Sequence, residues 1–175
     1  MDDTYIYLFG SLFGTYVLLL VTVAVIDATK FIIPNVIVVA LAALFVVATI
    51  FLPVDTDWIS HAGAAASVFL GGVLAYRFKK LGAGDVKLMT AVSLWMGFEH
   101  LPFLLLYIGL SGGALALFFV QLRRLALTIA IHWPRSGNGV LPRLFIAGEK
   151  IPYGVAIAIG SIITGGSVPH LGLYL

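Results

Sequence analysis

"RFKKLGAGDVK", residues 77–87, joins two long apolar runs and carries four of the chain's ten basic residues together with one carboxylate. Its reading decides the fold, because a connection this basic belongs on the cytoplasmic side of a membrane and so sets the direction of the runs flanking it. The chain around it has 175 residues, of which 61% are hydrophobic and 10% charged. Its mean hydropathy is +1.10, the composition of an all-α integral membrane protein.

Outward from residues 77–87, the apolar runs predict six transmembrane helices: Tyr5–Ile26, Pro34–Leu52, Ile59–Tyr76, Val86–Phe98, Leu101–Leu122 and Ile151–Ile163. The N-terminus "MDDTYIYLFG" has no basic segment or cleavage site and reads as a retained first span. With six spans, all ten basic residues (Lys30, Arg77, Lys79, Lys80, Lys87, Arg123, Arg124, Arg135, Arg143 and Lys150) fall on one side, the cytoplasm. Asp2, Asp3, Asp55, Asp57 and Glu99 fall on the other side with both termini. The expected organisation is a single membrane-embedded domain, residues 1–175, with a cytoplasmic loop over 123–150 that lies partly along the interface.

Three acids remain on the basic side: Asp27, Asp85 and Glu149. An ionisable group at a span is costly and is a functional candidate by default. Bland roles compete with that reading. Asp85 would cap the fourth helix by accepting its first-turn amides, and Asp27 would pair with Lys30 one turn on. The fourteen residues from Asp85 to Glu99 rise about 21 Å as helix, against a hydrocarbon core of about 30 Å, so Asp85 is expected below the surface in a non-helical "GAGD". Asp27 is expected nearer the interface. Glycines there let the backbone turn and let another segment come close. Two carboxylates that meet share a proton, the arrangement of aspartic proteases. A proton-coupled transporter would use the same pair as relay groups, and a noncatalytic assembly subunit would use both for structure alone.

Three motifs in order add a resemblance. "DATKFIIPN" (Asp27–Asn35), "GAGDVK" (Gly82–Lys87) and "KIPYGVAIA" (Lys150–Ala158) resemble the motifs of the type IV prepilin peptidases. The resemblance implies a membrane aspartic endopeptidase of the bacterial inner membrane. It would remove the short basic leader of a prepilin or pseudopilin after a glycine, at the cytoplasmic face, for pilus assembly. By motif, Asp27 and Asp85 would be catalytic, with Lys30, Pro34, Asn35, Gly82, Gly84, Lys87, Pro152, Tyr153 and Gly154 supporting them. Val155 stands where many members have a second proline. The larger members' amino-terminal cysteine domain is not seen here, so N-methylation is not expected. The nearest subgroup is the compact peptidases of tight-adherence (Flp) pili.

Other signals point away from other chemistries. The absence of cysteine leaves no disulfide, thiolate nucleophile or thiolate metal site, and His61, His100, His132 and His170 are too scattered for a metal. No metal or cofactor is expected, and the membrane's lipids are the partner of the basic residues, not nucleic acid. "GLSGG" (Gly109–Gly113) fits a serine-protease pattern but lies within an apolar run, where Gly109 and Gly113 read as helix-packing residues, like Gly10 and Gly14. Trp58, Trp95 and Trp133 are expected as interfacial or packing aromatics.

Overall fold

The computed structural model describes residues 3–51, 56–132 and 151–166, and every element among them is helical. The helices are α1 (Asp3–Lys30), α2 (Asn35–Phe51), α3 (Trp58–Arg77), α4 (Ala83–His132) and α5 (Tyr153–Gly165). Three stretches, Tyr7–Lys30, Trp58–Arg77 and Ala83–Leu125, are long and apolar enough to cross a membrane, while α2 and α5 are shorter apolar helices. Large apolar side chains such as Leu18, Val36, Leu70, Leu110 and Leu117 stand exposed on the outside of the bundle. This outward-apolar surface suits lipid, and the chain is a membrane protein.

Burial picks one face from each apolar helix. On α1 the buried residues are Phe9, Leu12, Tyr16, Leu20, Val23 and Asp27, at steps of three or four that trace a single stripe. Asp27 thus ends the stripe that elsewhere packs the core. The first arm of α4 lies centrally: Trp95 is fully buried, donates its indole N–H to the Leu41 carbonyl at 3.0 Å, and packs against the rings of Tyr16 and Phe45.

The sequence separates two spans, Val86–Phe98 and Leu101–Leu122, by a connection over Gly97–Pro102, and the structure breaks the helix within it, at Gly97, with helical backbone resuming at once on the far side. Gly97 has φ 60° and ψ −178°, a region open in practice only to glycine. In an unbroken helix the Phe98 N–H would donate to the Leu94 carbonyl. Here it donates to Ser60 Oγ at 2.9 Å, and the Leu94 carbonyl accepts from His61 Nδ1 at 2.7 Å. A carbonyl can only accept, so Nδ1 carries the proton. The first turn of α3, itself capped by Asp57, therefore replaces the hydrogen bond that the bend breaks. Pro102 lies inside the second arm, five residues past Gly97, and having no N–H it cannot make the helical bond to the Phe98 carbonyl.

The bend folds α4 back on itself. Met89 and Leu105, eight residues either side of Gly97, line one small apolar cavity, whereas in a straight helix they would be about 24 Å apart. α5 runs antiparallel to the second arm: a Cβ on Gly160 would meet the Ile108 backbone nitrogen at 2.6 Å, and one on Gly112 would meet the Tyr153 ring at 2.7 Å. Gly63 against Phe98 and Gly72 against Val86 pack as closely, at 2.6 and 2.7 Å. Gly109, Gly113, Gly10 and Gly14, expected in that role, have nothing within 4 Å among the described residues. Residues 123–132, the start of the stretch expected as a cytoplasmic loop whose first half could be an interfacial helix, are helical and continue α4, and 133–150, with Trp133, Arg135, Arg143, Glu149 and Lys150, lie outside the described residues.

Candidate active site

Five helix ends gather at one end of the bundle. The last turns of α1 meet the N-termini of α2, α4 and α5 around a cavity of about 340 Å³, whose lining includes Asp27, Asn35, Gly82, Gly84, Asp85, Lys87 and Tyr153. The C-terminus of α3 lies next to it, in a chamber that shares Gly82, Asp85 and Tyr153. Three helix N-termini facing one cavity favour negative charge there.

Each aspartate rests on a glycine. Asp27 is 5% exposed, and its Oδ2 accepts the Gly154 N–H at 2.7 Å. Gly154 is the second residue of α5, so a side chain from α1 satisfies one of the orphan amides at the start of α5. Asp85 is half-buried, and its Oδ2 accepts the Gly82 N–H at 3.0 Å. In both cases a Cβ on the glycine would lie 2.8 Å from that same oxygen. Neither glycine has a positive φ; each is required for the approach of its amide to the carboxylate.

Two local expectations change. Asp85 does not stand ahead of its helix as a cap, and "GAGD" is not a non-helical segment: Ala83 and Gly84 already belong to α4, and Asp85 reaches back from its first turn to the amide of the residue before it. Among the described residues no ion pair joins Asp27 to Lys30, which is exposed and does not line the cavity. Within the protein, Asp27 is the more deeply buried of the two acids.

The remaining motif residues hold the frame. Lys87 Nζ donates to Asn35 Oδ1 at 3.0 Å, tying α4 to the start of α2. Pro34 precedes α2, and its carbonyl accepts the amides of Ile37 and Val38. Pro152 is buried and caps α5 by its backbone, its carbonyl taking the Val155 N–H. A Cβ on Gly84 would come 3.1 Å from Ile33 Cβ, which seats the start of α4 against the α1–α2 connection. Sequence reading did not single out Phe31, whose φ of 55° ends α1 in a left-handed residue four past Asp27, nor Ile33, Ala83 and Ile151, which also line the cavity. Apolar residues in an apolar chain carry no signal of a site.

A profile of the type IV leader peptidase family matches residues 14–117, more than half of the chain. The chain belongs to the type IV leader peptidase family. It is therefore an aspartic peptidase of the membrane. The matched stretch takes in both aspartates, Pro34, Gly82, Gly84 and Lys87, and stops short of Pro152–Gly154. No curated protein and no solved structure matched the chain. For a leader peptidase the hydrogen bond from Gly154 to Asp27 is informative, because it carries a residue outside the matched stretch to one of the two acids.

Proposed function

We propose that Asp27 and Asp85 are the catalytic pair of this leader peptidase, which cuts the short leader from a prepilin or pseudopilin after a glycine at the cytoplasmic face. The observation that carries the reading is the one cavity lined by both carboxylates, each oriented by a glycine amide. A charge-assisted bond from a glycine N–H fixes the direction of each carboxylate.

The two acids share one proton in the resting site. The ionised carboxylate takes a proton from water as its oxygen adds to the scissile carbonyl carbon. The protonated partner gives its proton to the carbonyl oxygen. As the tetrahedral species collapses, the carboxyl that took water's proton gives it to the departing nitrogen, and its ionised partner takes a proton from a hydroxyl on the same carbon, so that C=O re-forms as the C–N bond breaks. The leader leaves with a new carboxyl group, the mature chain with a new amine, and the pair again holds one proton.

The topology belongs to the same proposal. With the arms of α4 as fourth and fifth spans, the chain crosses six times in the bacterial inner membrane, with both termini outside and the aspartates toward the cytoplasm. The support is the ten basic residues on one side of that map. The supporting roles of Lys30, Pro34, Asn35, Gly82, Gly84, Lys87, Pro152, Tyr153 and Gly154 are part of it too.

Purified full-length protein in nanodiscs, assayed on prepilin-like substrates, tests the pair. Asp27→Asn and Asp85→Asn each lower cleavage by at least about 1,000-fold, since an amide cannot exchange the shared proton. A variant that cuts at close to the normal rate removes that residue from the pair.

A further inference from the structure

Beside the aspartate cavity lies a larger chamber of about 1130 Å³. The two share Gly82, Asp85 and Tyr153 among their walls, so a peptide held at the acids continues into the chamber. Its outer wall carries Arg77, Lys79 and Lys80, and among the described residues Asp85 is the one acid that lines it.

The cations have an ordinary explanation in part. They close α3, where positive charge suits the helix dipole, and they orient the protein in the membrane. Neither duty explains Lys79. The amides of Lys79 and Lys80 donate to the carbonyls of Tyr76 and Ala75 at 2.8 and 2.9 Å, the paired bonds of a Schellman turn. In that turn the left-handed position belongs to glycine, yet Lys79 holds it at φ 57°. A lysine here keeps a cation on the chamber wall at a backbone cost glycine would avoid. Lipid headgroups are the competing anions. A headgroup in this chamber would obstruct the path to the acids, which favours the substrate as the occupant.

We propose that the Arg77–Lys79–Lys80 chamber is a specificity subsite that takes an acidic side chain of the substrate, close to the scissile bond. Treated as a sphere, the chamber is about 13 Å across, room for about four extended residues at about 3.3 Å each. The acid therefore lies within about four residues of the cut. The inference rests on the reading of Asp27 and Asp85 as the cutting pair, and deepens it by naming a substrate feature.

The test is a positional scan. Fluorescent prepilin-like peptides, each with one glutamate or glutamine at positions up to four residues either side of the scissile bond, are measured for binding and for kcat/KM. The enzyme is the full chain in phosphatidylcholine nanodiscs, as wild type and as Arg77→Gln/Lys79→Gly/Lys80→Gln. Lys79→Gly deletes the charge while relaxing the turn, so the variant keeps its backbone. At one or more positions, glutamate raises binding and kcat/KM of the wild type by roughly tenfold, the scale of one charge-assisted contact, and by less than twofold in the variant. No preference at any position, or an equal preference in both proteins, overturns the subsite while normal cleavage leaves the peptidase reading standing. A preference in binding without any cleavage keeps the subsite and sinks the catalytic pair. Loss of the preference in phosphatidylglycerol nanodiscs assigns the chamber to lipid headgroups and also overturns the proposal.

Discussion

Replacing Gly154 by alanine would set a Cβ 2.8 Å from Asp27 Oδ2, 3.1 Å from its Cγ and 3.2 Å from its Cβ. Ordinary contact begins near 3.4 Å, so the carboxylate or the start of α5 must move by about 0.6 Å. Asp27 is buried and has little room to turn away. The 2.7 Å bond from the Gly154 amide is then weakened or lost, a charge-assisted contact of about 1.5–3 kcal/mol. Alanine returns about 1 kcal/mol by its better helix propensity, so the fold loses only about 0.5–2 kcal/mol. Catalysis is more sensitive, because a displacement of about 1 Å in a reacting group costs roughly 100-fold. The expected outcome is a drop in kcat/KM of roughly 10- to 100-fold, with a thermal midpoint in detergent lowered by a few degrees. Ile159→Ala, on the exposed side of the same helix, serves as the control. Gly82→Ala makes the same 2.8 Å contact with Asp85, but that acid is half-buried and can swing aside, so its loss is smaller. Activity of Gly154→Ala within twofold of wild type, or equal losses in Gly154→Ala and Ile159→Ala, refutes the claim that this amide positions Asp27.

At the bend, Gly97→Ala forces a left-handed alanine whose Cβ lies 3.2 Å from Ser60 Oγ, and lowers stability by about 2 kcal/mol, while Gly109→Ala, with open space around it, is neutral or slightly stabilising. Equal thermal midpoints for the two variants contradict that account. Reporter fusions after Lys80 and Ser136 read as cytoplasmic, and those after Asp57 and at Leu175 as external; a cytoplasmic C-terminus means an odd number of spans. On the substrate side, leucine in place of the glycine before the cut blocks cleavage far more than binding, because the acids need close access to an extended backbone. A leucine substrate that is cut normally, or that fails only by not binding, removes that requirement.

Much of the site was legible in the chain. The three motifs put Asp27, Asp85 and Gly154 on one list, and the charge pattern put them on one side, because a charge in so apolar a sequence has few places to be. The helices were legible as apolar runs, and the break at Gly97 falls within the connection expected over Gly97–Pro102, although only that one residue leaves the helix. What makes the bend possible is a serine and a histidine from the start of α3, and their spacing from Gly97 says nothing of the contact.

The sequence by itself determined that the protein lies in a membrane and which residues are candidates for its chemistry, since hydropathy, charge and motif are properties of the chain alone. The tertiary structure decided which face of each helix turns inward, that Asp27 caps a helix 127 residues away, and that Gly63, Gly72, Gly112 and Gly160 pack closely where Gly10, Gly14, Gly109 and Gly113 do not. The physical reason is uniform hydrophobicity. A helix apolar on every side serves lipid and core equally well, so nothing along it marks a face, and the choice falls to the fit of one helix against the next.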